Sequence, residues 1–105
     1  IAAQSRVGML LYENLIPINP AVQAACEMLG FDPLYIANEG KIIAIVPPHE
    51  AEAALKAMRR HPYGKLASQI GEVTFDAGGR VLLKTSIGAT RILDMLAGEI
   101  LPRIC

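Results

Sequence analysis

The residues of this chain whose types invite chemistry are two cysteines, two histidines and one acidic loop. One cysteine stands at the very end, in Leu101-Pro102-Arg103-Ile104-Cys105. A thiol becomes a useful nucleophile only as the thiolate. Arg103 favours that form of Cys105, and the terminal carboxylate on the same residue disfavours it. Pro102 lacks an N–H and biases Leu101 toward extended geometry, so the segment is expected to stay out of helix. From Ala97 to Cys105 an extended chain spans roughly 30 Å, enough to carry a thiol to a site on another domain or another protein. The plain alternative is a frayed terminus with an incidental cysteine.

Inside the chain, Glu39 is the acid of most interest. It lies between Asn38 and Gly40, in a loop expected to feed a buried strand. A carboxylate in such a place is half desolvated and can serve as a base. The alternative is an ordinary loop glutamate beside Lys41. Glu72, Asp76 and Asp94 read as structural or solvated. His49 and His61 border prolines at expected helix ends, are expected to be exposed, and form no metal-ligand spacing with Cys26 or Cys105. Gly40-Lys41 is no phosphate loop: Ile42 stands where Ser or Thr would hold magnesium, and the upstream glycine is missing.

The elements that must position these residues follow from pattern. Residues 7–12 are a continuous apolar run, read as a strand buried on both faces. A helix starts at Asn19, a cap, with Pro20 in its first turn, and stops at Gly30. Val22, Cys26 and Leu29 are its expected apolar stripe. Asp32-Pro33 opens a single turn. Residues 41–46, rich in β-branched side chains, read as a central strand ended by Pro47-Pro48. The next helix buries Ala51, Ala54, Leu55 and Met58, with Glu50 and Glu52 at its start and Lys56, Arg59 and Arg60 near its end, before His61-Pro62. Residues 70–75 and 80–85 read as a hairpin about the turn Asp76-Ala77-Gly78-Gly79. Arg91-Ile92-Leu93 reads as a short last strand. The fold class expected is α+β (mixed α/β): a small mixed sheet of about four strands with two main helices packed on it. One domain over residues 1–96 and a flexible tail over 97–105 are expected.

Composition narrows the function. Formal charge is zero, so there is no electrostatic footprint for nucleic acid. The local cluster Lys56, Arg59, Arg60 and Lys65 reads as a solvated helix end. Although 52% of the residues are hydrophobic, no apolar run approaches the ~20 residues of a membrane span. No signal peptide is read at Ile1 to Ser5. Two unevenly placed cysteines suit a reducing compartment, with Cys26 in a core. The chain does not open on methionine, and its first five residues read as the end of a helix, so a C-terminal piece of a longer protein is expected.

Several stretches carry a resemblance. Pro102-Arg103-Ile104-Cys105, preceded by Thr90-Arg91-Ile92-Leu93-Asp94-Met95, resembles the end of the HypE family of hydrogenase maturation proteins, the carbamoyl dehydratases. Residues 24–35, then Ala37-Asn38-Glu39-Gly40-Lys41, Val46-Pro47-Pro48 and Ile70-Gly71-Glu72-Val73 resemble the same family in the same order. The domain-level pattern is shared with the wider AIR synthase-related (PurM-like) ATP enzymes; the terminal cysteine motif points to this member.

The resemblance implies a cytoplasmic, ATP-dependent enzyme, homodimeric at full length. ATP and magnesium would bind mainly on an N-terminal domain, and the isolated piece would be inactive. It implies that a HypF carbamoyltransferase loads the Cys105 thiol. The thiocarbamate is then dehydrated to a thiocyanate, and the cyanide passes to iron on a HypC–HypD scaffold. Dehydration needs a base and a carboxamide-orienting donor near the sulfur, roles that fall to Glu39 and Asn38. Two alternatives stay open: the C-terminal domain of a sibling ATP enzyme acting on other substrates, and a non-enzymatic interaction module with a docking tail.

Overall fold

The computed structural model describes residues 1–94, so Cys105, the tail over 97–105 and the boundary at 96 lie outside the described residues. The chain divides into two compact units: residues 1–17 with 47–94, and, among the described residues, 18–46.

The first unit is built on a four-stranded sheet of order β2-β1-β3-β4. Its strands are β1 (Gly8–Tyr12), β2 (Gly71–Thr74), β3 (Val81–Lys84) and β4 (Thr90–Leu93). A short helix α1 (Ala2–Ser5) leads in through Arg6, which turns the chain at φ 54. β1 is central. It pairs antiparallel with β2, Leu10 opposite Glu72, and parallel with β3, Leu10 opposite Leu82. β4 adds antiparallel to β3. The mixed α+β class with about four strands is borne out, as is the last strand.

The expected hairpin is corrected. The turn forms, with the Gly79 amide donating to the Asp76 carbonyl at 2.9 Å. Its two strands do not pair, because β1 lies between them. Gly8 permits this: a Cβ there would sit 2.7 Å from the Asp76 Cβ, so only glycine lets the turn close over the start of β1. Leu83, fully buried, is the centre of this unit's core.

The helix α2 (Pro20–Leu29) belongs to the second unit, and α3 (Ala51–Arg59) to the first. α3 follows a 3₁₀ turn over Pro48–Glu50 and keeps Ala51, Ala54, Leu55 and Met58 half-buried, as its spacing requires. A second 3₁₀ turn, Pro62–Gly64, follows it.

In α2 the Asn19 Oδ1 accepts the Ala21 amide at 2.9 Å, and Gly30 closes the helix at φ 73. Its buried face differs from expectation. Cys26 is buried, but Val22 and Leu29 are 45% and 67% exposed. Gln23 is half-buried instead, so the covered face runs through Gln23 and Cys26, one turn-step around the helix from the apolar stripe.

Residues 41–46 are a second correction: they form no strand, and all of them are exposed. β-branched side chains suit a pleated surface, but a ladder needs a neighbour to bond to. Among the described residues no backbone hydrogen bond ties them to another element.

Candidate functional site

The acidic loop is held from its N-terminal side. The 3₁₀ turn Pro33–Tyr35 is capped by Asp32, whose Oδ1 accepts the Leu34 amide at 3.0 Å. Ile36 then leaves extended, at φ −82 and ψ 129. Its carbonyl accepts the Asn38 Nδ2 at 3.4 Å. Gly40 follows at φ 78, a left-handed geometry that glycine adopts without strain. Asn38 and Glu39 therefore project from one short, bent loop.

The expectation of a half-desolvated Glu39 is corrected, since residues 37–46 are exposed throughout. The reason is the same as for the strand: the segment that should bury the loop is itself uncovered. Asn38 keeps a single weak bond, so its amide can still turn toward a substrate. Cys105 lies outside the described residues.

Elsewhere the polar groups are structural. In the β2–β3 turn the Asp76 carboxylate takes the Arg80 Nε at 2.7 Å and the Gly78 amide at 3.0 Å. Those bonds, the Arg80 one foremost, lower its pKa below the ordinary carboxylate value. The His61 Nδ1 accepts the Tyr63 amide at 3.1 Å and so caps a turn. His49 is exposed and stands 3.9 Å from Glu50. Arg59 donates from Nε to the Ala67 carbonyl at 3.0 Å, fixing the chain after α3. Cys26 is a free, buried thiol, as its place in a core requires.

One feature escaped sequence pattern. An open hollow of about 310 Å³ is lined by Tyr12, Leu15, Gln69, Gly71 and Glu72, with the Tyr12 hydroxyl donating to Glu72 at 3.4 Å. It exists because β2 docks against β1, a pairing that local pattern does not carry. Among the described residues, no group of three or more His, Cys, Asp or Glu could hold a metal ion. None of their helices is long and apolar enough to cross a membrane.

Known proteins resemble this chain from end to end. A family model of the AIR synthase related protein, C-terminal domain, matches residues 1–84. The chain is 55% identical over 105 residues to carbamoyl dehydratase HypE of Bradyrhizobium diazoefficiens, which is 100% of this chain and 30% of that protein. It is 54% identical over 105 residues to carbamoyl dehydratase HypE of Cupriavidus necator, again 100% of this chain and 30% of the relative. Among solved structures, the crystal structure of hydrogenase maturation protein HypE gives a TM-score of 0.90 at 44% identity, over 99% of this chain and 34% of that one. HypE in complex with ATP gives 0.88 at 43% identity, over 99% and 32%. A HypE–HypF complex gives 0.82 at 42% identity, over 89% and 30%. The chain thus spans about a third of the length of the relatives it matches.

Proposed function

We infer that this chain, which belongs to the AIR synthase related protein family, C-terminal domain, is the C-terminal part of an ATP-dependent carbamoyl dehydratase that makes the cyanide ligand of NiFe hydrogenases. The observation that carries this is the match to relatives named carbamoyl dehydratase over all 105 residues at 55% identity. That match runs through a chain that ends Pro102-Arg103-Ile104-Cys105.

The chemistry balances as follows. A carbamoyl group sits on the Cys105 sulfur as S–C(=O)NH₂. Oxygen is a poor leaving group, so the carbamoyl oxygen takes the terminal phosphoryl group of ATP, and ADP leaves. The C–O bond then breaks with loss of phosphate, and the nitrogen gives up both its protons across the two steps. The product is S–C≡N, and the water formally removed ends in the phosphate. Glu39 is the base, and Asn38 orients the carboxamide.

ATP is a substrate here, and HypE crystallised with ATP supports its use. Among the described residues, no group of three or more His, Cys, Asp or Glu gathers that could hold a metal ion. In this reading the nucleotide site falls mainly on the remainder of the protein, and the isolated chain is inactive. A HypF carbamoyltransferase is the loading partner, in keeping with the solved HypE–HypF complex. A HypC–HypD scaffold receives the cyanide. The enzyme is a cytoplasmic homodimer.

The test is direct. Full-length protein is treated with a carbamoylating system, and its C-terminal peptide is weighed. A carbamoyl adduct on Cys105 that loses water on addition of ATP is the expected result. An unmodified Cys105 would overturn the carrier role and leave a sibling ATP enzyme or a docking module, which an ATPase assay separates.

A further inference from the structure

The hollow between the end of β1 and the start of β2 has walls that are clamped to each other. The Tyr12 amide donates to the Ile70 carbonyl at 2.9 Å, and the Ser68 hydroxyl donates to the Leu15 carbonyl at 2.7 Å. Gly71 lies so close to β1 that a Cβ there would stand 2.9 Å from the Leu11 Cα. Leu10 is opposite Glu72 in the ladder, so their side chains share one face of the sheet. Tyr12, two residues beyond Leu10, shares that face as well. The concavity therefore has a fixed shape, and its polar groups are brought together by strand register.

Glu72 carries its charge. Among the described residues the Glu72 carboxylate meets no cation, and its one hydrogen bond, from the Tyr12 hydroxyl at 3.4 Å, is long for a bond between oxygens. The Gln69 carboxamide and the Leu15 side chain complete the lining. None of the lining residues is positive, so an anion finds no counter-charge. Leu15 and the Tyr12 ring are its apolar walls, too little to hold a wholly apolar ligand.

We propose that this hollow is a binding site for a guanidinium group. The two Glu72 oxygens accept a pair of parallel N–H bonds from one edge of the planar cation. The Tyr12 hydroxyl and the Gln69 carbonyl oxygen accept from its remaining N–H groups. The Tyr12 ring adds an aromatic wall, which attracts a cation, and Leu15 packs against the alkyl stem. An ammonium group is a point charge and cannot use both carboxylate oxygens in this way, so the site selects guanidinium over it. A volume of about 310 Å³ takes such a group with its stem. It lies at the lower limit of pockets that enclose a whole small ligand, roughly 300–1,000 Å³. The group is either an arginine side chain of another protein or part of a free guanidino compound; the chemistry of recognition is the same. Nothing in this site draws on the carbamoyl reaction.

The hollow is open to water, so the contact is transient, and NMR on the full-length protein is the method that reads it. The probes are N-acetylarginine amide, its uncharged isostere N-acetylcitrulline amide, and a tripeptide with arginine at its centre. Saturable shifts of the Gln69, Gly71 and Glu72 amides are expected with the arginine probes and none with citrulline. Glu72→Gln should weaken binding by roughly tenfold or more, the loss of a charge-assisted hydrogen bond. Tyr12→Phe, which keeps the ring and removes the hydroxyl, should weaken it less. Tighter binding of the tripeptide than of the amide would assign the site to an arginine of another protein, and equal binding to a free guanidino compound. Absence of saturable shifts in the full-length protein would overturn the proposal. So would equal shifts with citrulline, or an affinity that Glu72→Gln leaves unchanged.

Discussion

Glu13 and Ser86 stand 73 positions apart, and the Glu13 Oε1 accepts both the Ser86 hydroxyl at 3.1 Å and the Ser86 amide at 3.4 Å. One carboxylate at the end of β1 thereby anchors the loop between β3 and β4. Glu13→Ala is expected to cost about 0.5–1.5 kcal/mol, the net worth of such bonds. Chemical denaturation measures the loss. Hydrogen exchange at Ser86 and Ala89 should rise with it, and an unchanged Ser86 amide would show that the loop holds itself.

Leu83→Ala removes the one large side chain that is fully buried among the described residues. A loss of about 2–5 kcal/mol is expected, the range for such cavities. Ile92→Ala on β4, where the side chain is 52% exposed, should cost far less. Equal losses at the two sites would contradict the assigned core.

Asp76 makes stability depend on acid. Its folded-state pKa lies below the ordinary 3.8, chiefly through the Arg80 hydrogen bond. A depressed carboxylate favours the folded state when ionised. That contribution is complete above about pH 4 and is lost as pH falls through the lowered pKa. Asp76→Asn should flatten the acid limb of a urea-midpoint profile, and Arg80→Met should shrink it. Superimposable profiles would assign the acid dependence to other groups.

Glu39→Gln in the full-length enzyme is expected to slow dehydration of the loaded tail by roughly 10²–10⁴-fold, the contribution of a general base. Carbamoylation of Cys105 should proceed as before, because the proposed function assigns it to a separate enzyme. Mass spectrometry after addition of ATP should find thiocarbamate persisting in the variant. Equal loss of water in both proteins would move the base to another part of the enzyme.

The isolated 105-residue chain is expected to bind no ATP at micromolar concentration. Gly40-Lys41-Ile42 lacks the hydroxyl that a phosphate loop needs for its metal. A micromolar isotherm in calorimetry would put the nucleotide site on this chain.

Much of this was legible one element at a time. Asn19, Pro20 and Gly30 bound α2 as capping chemistry requires, and the stripe of α3 predicts its half-buried face. What stayed hidden depends on neighbours. Residues 76–79 announce a turn, but nothing local says that β1 will enter between the strands on either side. Residues 41–46 have the composition of a strand and, among the described residues, no strand to pair with. In α2 the apolar stripe and the buried face differ because burial follows what lies opposite. The site divides in the same way. Asn38 and Glu39 share a loop, as their adjacency dictates, whereas their relation to Cys105 is long-range and lies outside the described residues.

The central position of β1 also sets an order of events for a nascent chain. Met9 pairs with Val73 on one side and Val81 on the other. Both neighbours are synthesised long after it, and α2 and α3 are complete before the first rung of the sheet can close. At ~5–20 residues per second, the 64 positions from Met9 to Val73 take on the order of 3–13 seconds to make. For that interval Met9, Leu10 and Leu11 are a bare apolar strand at the ribosome, so chaperone dependence at birth should track β1 more closely than any helix of the domain.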